Sequence, residues 1–179
     1  MFINSLCDSE DKEKIVLIYT NIDQPEKFFA GVVQKVFEED LIINHYLPNG
    51  MYDGYIVKKI EDIYRVDSGS KYVTKMEILK GQFEEMHVEI ESKLSGISSI
   101  LYFALKNQKV VSIELYRSGN IDATGYISQI IDGICEVELL DDYGFADGVS
   151  RIYIDSISQI SCDCDDEIIL KKLAEFKNK

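Results

Sequence analysis

Two short stretches carry residue types that chemistry would need: NGMYDGYIV at 49–57 and YGFADGVSR at 143–151. Each contains a Gly-x-x-Asp-Gly, running from Gly50 to Gly54 and from Gly144 to Gly148. A phosphate loop needs glycines closed by a lysine and followed by a helix whose N-terminus faces the anion. Neither stretch has that spacing or an evident helix behind it. Asp-Gly is instead a tight-turn or bulge signal. The two stretches are therefore read as backbone devices, and the side chains around them, Tyr52, Asp53, Tyr55, Tyr143, Phe145 and Asp147, as a partner-binding surface with exposed aromatics.

The other reactive types are sparse. Cys162-Asp163-Cys164 leads into Asp165-Asp166-Glu167. A zinc site wants four ligands in spaced pairs, and no second pair exists. The acidic run suits the N-terminus of a helix beginning before Ile168-Ile169-Leu170, where carboxylates complement the helix dipole. His45 and His87 are the only histidines, and His45 falls on the buried parity of its strand, which makes it a core or edge residue rather than a base. No nucleophile elbow, dinucleotide fingerprint or paired His/carboxylate set is present. The expectation is a protein without catalytic residues, cofactor or metal.

Composition sets the partners. With 179 residues and 46% apolar content, the chain can bury a real core as one domain or two small ones. The formal charge of -13 opposes a phosphate backbone, whose affinity for proteins comes largely from Lys and Arg. From Asp132 to Glu167 there are eleven acidic residues against the single basic Arg151. Such a run is a solvated surface or a face for a basic partner. MFINSLCDSEDKEK has no basic leader before an apolar segment, and no long apolar window follows anywhere, so a cytoplasmic protein with no membrane contact is expected. Four cysteines, Cys7, Cys135, Cys162 and Cys164, are too few and too oddly spaced for a secreted disulfide framework.

The elements that must position these residues come as a repeat. Residues 28–67 lie over 122–161 at a constant offset of 94 without a gap. Six pairs are identical: Gly31/Gly125, Gly50/Gly144, Asp53/Asp147, Gly54/Gly148, Ile60/Ile154 and Ile63/Ile157. Three are glycines, which set backbone geometry, and apolar pairs such as Ile43/Val137 keep strand parity. Each copy reads as about five short strands, with one face buried and one wet, as in Cys135-Glu136-Val137-Glu138-Leu139. Arg117-Ser118-Gly119-Asn120 supplies a hairpin turn. The apolar residues Ile97, Ile100, Leu101, Ala104 and Leu105 predict an amphipathic helix that buries Leu101 and Leu105. Further helices are placed at 2–6, around Met76 and Leu79, and over Ile169 to Phe176. Residues 80–94 are expected to be mostly helix, although Met86 to Glu91 alternates like a strand.

The helix followed by VVSIELYRSGNIDATGYISQIIDGICEVELL resembles the opening of an Sm-like domain, of the Hfq/LSm type, in the superfamily of small SH3-like β-barrels. The likeness covers residues 97–161 well and 2–67 loosely. It implies a mainly β fold with flanking helices, two tandem Sm-like (SH3-like) small barrels. The domains would be 1–79, a linker at 80–96, and 97–179. RNA-binding members carry an Asp and an Asn after the second strand and a basic element before the last. Val36 to Asp40 and Ile130 to Ile134 lack the Asn, and Glu61 to Tyr64 and Asp155 to Ser158 lack the basic element, so the resemblance supports fold rather than RNA binding. The sequence reading is a non-enzymatic protein-interaction or scaffolding module whose partner is another protein, a basic one where the acidic surface is used. A divergent Sm-like RNA-binding protein, and a small-molecule regulator or enzyme with a site between the barrels, are the alternatives. The oligomeric state stays open.

Overall fold

The computed structural model describes residues 2–83 and 88–177. It divides into two compact units, Met1–Glu89 and Ile90–Lys179, the boundary falling within the segment read as a linker. The chain is mainly β with flanking helices, and every described strand pairing within a unit is antiparallel.

In the first unit, helix α1 (Phe2–Lys12) precedes β1 (Ile15–Tyr19), β2 (Phe29–Val36), β3 (Asp40–Tyr46) and β4 (Tyr52–Lys59). A 3-10 turn (Ile60–Asp62) then leads to β5 (Arg65–Asp67) and helix α2 (Lys71–Lys80). The strand order is β5-β1-β2-β3-β4. In the second unit, α3 (Gly96–Asn107) precedes β6 (Val110–Leu115), β7 (Ala123–Ile131), β8 (Ile134–Leu140) and β9 (Ala146–Tyr153). The 3-10 turn Ile154–Ser156, β10 (Ile157–Cys162) and helix α4 (Asp165–Lys177) follow, and the order is β10-β6-β7-β8-β9.

The two units therefore share element order and strand order. The offset of 94 carries β2, β3, β4 and the 3-10 turn onto β7, β8, β9 and its 3-10 turn, and carries the first residue of α2 onto that of α4. Register irregularities repeat too, between Val33/Lys35 and Ile127/Gln129, and between Asn44/Tyr46 and Glu138/Leu140. Five strands per unit match the expectation. No ladder between the fourth and fifth strand of a unit is present among the described residues, so neither set closes on itself by hydrogen bonds. In both units the chain leaves the fourth strand through the 3-10 turn and pairs its fifth strand with the first instead.

The opening motif resolves into two devices. Gly50 and Gly144 close the hairpin tips, with φ of 88° and 80° and N–H groups donating to Leu47 and Asp141 carbonyls at 2.8 and 2.9 Å. Asp53-Gly54 and Asp147-Gly148 sit farther along, inside β4 and β9, at the register shift opposite β3 and β8, where the extra residue forms a bulge. At each tip a Cβ would lie within 2.5 Å of Leu79 in the first unit, or 2.7 Å of the Ala174 backbone nitrogen in the second. Hairpin tip and following helix thus touch backbone to backbone.

Strand parity in the first unit places apolar residues on both faces, not one. Ile15, Leu17 and Tyr19 join Val73 and Met76 of α2 in one cluster, while Val16 and Ile18 join Leu6 of α1 in another. This is why β1 is buried along its whole length. The second unit keeps the expected alternation on β8, where Cys135 and Val137 are buried and Glu138 is exposed.

Three local expectations change. The β6–β7 turn closes earlier than its glycine suggests, by Ser118 N–H donating to Leu115 O at 3.0 Å around Tyr116 and Arg117, both with positive φ. The helix expected over 80–94 is not present in the described part: α2 ends at Lys80, and residues 88–94 are irregular. Tyr55 Oη both donates to Val88 O (3.0 Å) and accepts from Val88 N–H (2.9 Å), which satisfies that backbone without a helix. Residues 84–87, with His87, lie outside the described residues. Finally, Leu101 is fully buried but Leu105 only half-buried.

No helix among the described residues is long and apolar enough to cross a membrane. Since Leu101 has no exposed surface and Leu105 keeps part of its own, Leu101→Ala is expected to cost roughly 2–5 kcal/mol and Leu105→Ala about 1 kcal/mol, measured by urea unfolding. Equal losses would show that α3 packs differently.

Candidate functional site

The six side chains singled out in the sequence divide by unit. In the first, Tyr52 and Tyr55 are not the exposed aromatics expected. Tyr55 is 1% exposed and clasps Val88. Tyr52 is half-buried, its ring edge-on to Tyr46 and to Tyr55, each at 5.8 Å. Tyr52 packs against the cluster that holds Val73 and Met76 of α2. Asp53 is also buried, and its carboxylate lies 3.0 Å from His45 Nδ1. That contact ties the β4 bulge to β3, with Phe29 edge-on to the His45 ring at 6.2 Å.

In the second unit the corresponding residues are exposed. Asp141 Oδ1 accepts from the N–H groups of Tyr143 (2.9 Å) and Phe145 (2.8 Å), which shapes the hairpin tip and turns both rings outward, 70% and 55% exposed. Lys177 at the end of α4 donates to Tyr143 O at 2.5 Å and sits 3.2 Å from the Phe145 ring centroid. Asp147 is exposed. Along β9, Val149 and Tyr153 are also exposed, and β9 pairs only with β8 among the described residues. Its outer edge offers unpaired backbone groups, a template for further pairing. A hollow of about 510 Å³ opens beside Phe145 and Val149, over Ala174.

A second groove of about 500 Å³ lies between α4 and the sheet of this unit. Leu140, Leu170 and Leu173 line its floor, and Asp122, Asp142, Asp147 and Asp166 stand on it, with no Lys, Arg or His among its lining residues. On α4, Ile169, Leu173 and Phe176 are exposed at a spacing that puts them on one helical face. Of this surface the sequence reading found Asp147 and the acidic run, but not Asp122 or the exposed apolar stripe of α4. An apolar i, i+4, i+7 series is normally the core face, and here Glu167 and Ala174 occupy that face instead.

The N-terminus of α4 is built as the acidic run suggested. Glu167 is 4% exposed, and its carboxylate accepts from Ser161 Oγ (2.8 Å) and from the Cys164 N–H (2.9 Å), the reciprocal arm of a capping box. Burial pushes its carboxyl above the ordinary glutamate value, and the bonds from Ser112, Ser161 and Cys164 pull the other way. Cys162 is buried and its thiol held well above the usual range by burial; burial likewise pushes Cys135 up to about 11. Neither thiol is poised as a nucleophile or metal ligand. No group of three His, Cys, Asp or Glu able to hold a metal ion exists among the described residues.

Comparison with protein-family models, curated proteins and solved structures finds no match to this chain.

The raised carboxyl of Glu167 sets a pH dependence. A pKa higher in the folded than in the unfolded chain gives stability that is fully present below the unfolded value and is lost as pH rises through the folded one. Urea unfolding across the acid-to-neutral range should show wild type losing stability relative to Glu167→Gln as pH rises. Parallel curves would mean that Glu167 ionises without cost.

Proposed function

We propose that this chain is a non-enzymatic protein-interaction module, two tandem Sm-like small barrels of which the second presents the contact surface. The Sm-like reading is supported by a helix followed by five strands in the same order in both units, with glycines at matching bends. Duplication of one domain is the economical origin of two units aligned at a constant offset.

The observation that carries the interaction reading is the contrast between β4 and β9. Tyr55 is buried on β4, whereas its counterpart Val149 is exposed on β9, together with Tyr143, Phe145 and Tyr153 around it. A soluble surface rarely gathers large apolar groups along an open strand edge unless something covers them. Exposed aromatics next to unpaired backbone suit a polypeptide partner, which supplies both apolar side chains and hydrogen-bonding groups. The acidic surroundings of the same unit oppose a phosphate chain.

Two measurements test this. Tagged wild type is expected to retain, from a lysate of its source cells, a protein that survives nuclease treatment and that is lost with Tyr143→Ser/Phe145→Ser/Tyr153→Ser. Retention unchanged by the triple variant would remove β9 from the interface. In fluorescence anisotropy, U-rich and A-rich RNA oligomers are expected to bind only weakly, with affinity falling steeply as salt rises. Tight, salt-resistant RNA binding that is lost on Lys59→Glu would overturn the protein reading in favour of an RNA-binding first unit.

A further inference from the structure

The groove under α4 has an internal reference, because the first unit shows what fills the same place. There α2 packs on the sheet through a cluster that includes Tyr46, Met76 and Leu17, with Phe28, Tyr52 and Tyr72 against it. Phe28 and Tyr72 meet edge to face at 5.4 Å. The offset of 94 turns Phe28 into Asp122, Tyr72 into Asp166, Tyr46 into Leu140, Tyr52 into Ala146 and Met76 into Leu170. Leu17 pairs with Ala30, as Ser112 does with Thr124, so Ser112 takes its place.

Both helices start at corresponding residues and press on corresponding glycines, so the frame is the same. The contents differ. Four aromatic rings have as counterparts two carboxylates, an isobutyl and a methyl group, and a groove of about 500 Å³ stands where the first unit is packed. Protein interiors are close-packed, and an apolar floor left open loses contacts that a filled one makes.

We infer that this groove receives a basic amphipathic segment of a partner protein, inserting a bulky apolar side chain where Phe28 and Tyr72 meet in the first unit. Its lysines or arginines would face Asp122, Asp142, Asp147 and Asp166. Charge complementarity commits the occupant. An acidic or neutral apolar segment would leave these carboxylates facing it unneutralised, whereas a purely basic segment would leave Leu140, Leu170 and Leu173 uncovered. The exposed Ile169, Leu173 and Phe176 extend the apolar contact along α4.

The inference rests on the protein-interaction reading and names its partner's chemistry. The probe is a labelled peptide with Phe and Leu on one side and Lys on the other. Its counterparts carry Glu for every Lys, or Ser for every Phe and Leu. Anisotropy with the full chain should show binding of the first peptide only, weakened by salt. Asp142→Asn/Asp147→Asn/Asp166→Asn should weaken it about tenfold, as expected for several partly screened charges. A second variant, Asp122→Phe/Asp166→Tyr, copies the pair of the first unit and should close the groove and abolish binding. Asp122 also accepts from Leu115 N–H and Ser118 Oγ, each at 2.7 Å, so circular dichroism must first show that variant folded. If it is unfolded, the charge variant together with Leu170→Trp, which fills the floor, decides.

Binding that survives a filled groove, equal binding of the Ser peptide, or no binding of the first peptide would each overturn the inference. In those cases loss of the cellular partner on changing Tyr143, Phe145 and Tyr153 would still uphold the interaction reading, so the two failures are distinguishable.

Discussion

The contact between hairpin tip and following helix is the constraint on which each unit depends. At Gly50 and Gly144 the backbone adopts positive φ, and any Cβ would collide with Leu79 or with the Leu173–Ala174 backbone. Only glycine satisfies both demands at once. With the tip seated, the helix has one place to lie over the sheet of its unit. In the first unit its inward residues are Val73 and Met76, both buried. In the second they are Glu167, which is held by Ser161 and the Cys164 N–H, and Leu170, which faces the groove.

The same frame thus carries two different contents. An apolar Val73 at the third helical position lets the aromatic cluster close. A glutamate there needs polar partners, and the serines at 112 and 161 supply them. Once the strand beneath the helix carries Ser112, the rings that would have packed on it lose their apolar floor on that side. Asp122 and Asp166 replace them without leaving a buried charge, because both stay exposed. The polar cap and the open groove thus lie on the same helix, beside the most acidic part of the chain.

Much of the frame was legible in the sequence, because periodicity and glycine positions are local signals. Helix α3 and the spacing of the paired glycines read directly, and so did the acidic start of α4. What failed was whatever depends on distant residues. Tyr52 and Tyr55 looked exposed since they flank a turn, but Tyr55 is buried by the clasp on Val88 and Tyr52 half-buried by packing against Tyr46. Residues 88–94 looked helical by length, although that same clasp gives part of their backbone another partner. The series Ile169, Leu173 and Phe176 marked only a helix, since nothing local reveals that Glu167 and Ala174 take its inner face.

The candidate groove was invisible for a related reason. Asp165, Asp166 and Glu167 have a complete local explanation as a helix N-terminus, and the structure supports it through the capping bond to Cys164. A sufficient local reading hides a second role. Asp166 acquires one only beside Asp122, which precedes β7 and looks in sequence like an ordinary turn residue. The constant offset of 94 offers a way to see such pairs without coordinates. Extending the offset beyond the strands into the helices sets Phe28 against Asp122 and Tyr72 against Asp166, contacting rings in one unit and carboxylates in the other. Such pairs share one place in the fold: in the first unit the two rings meet at 5.4 Å, and in the second the two carboxylates line one groove.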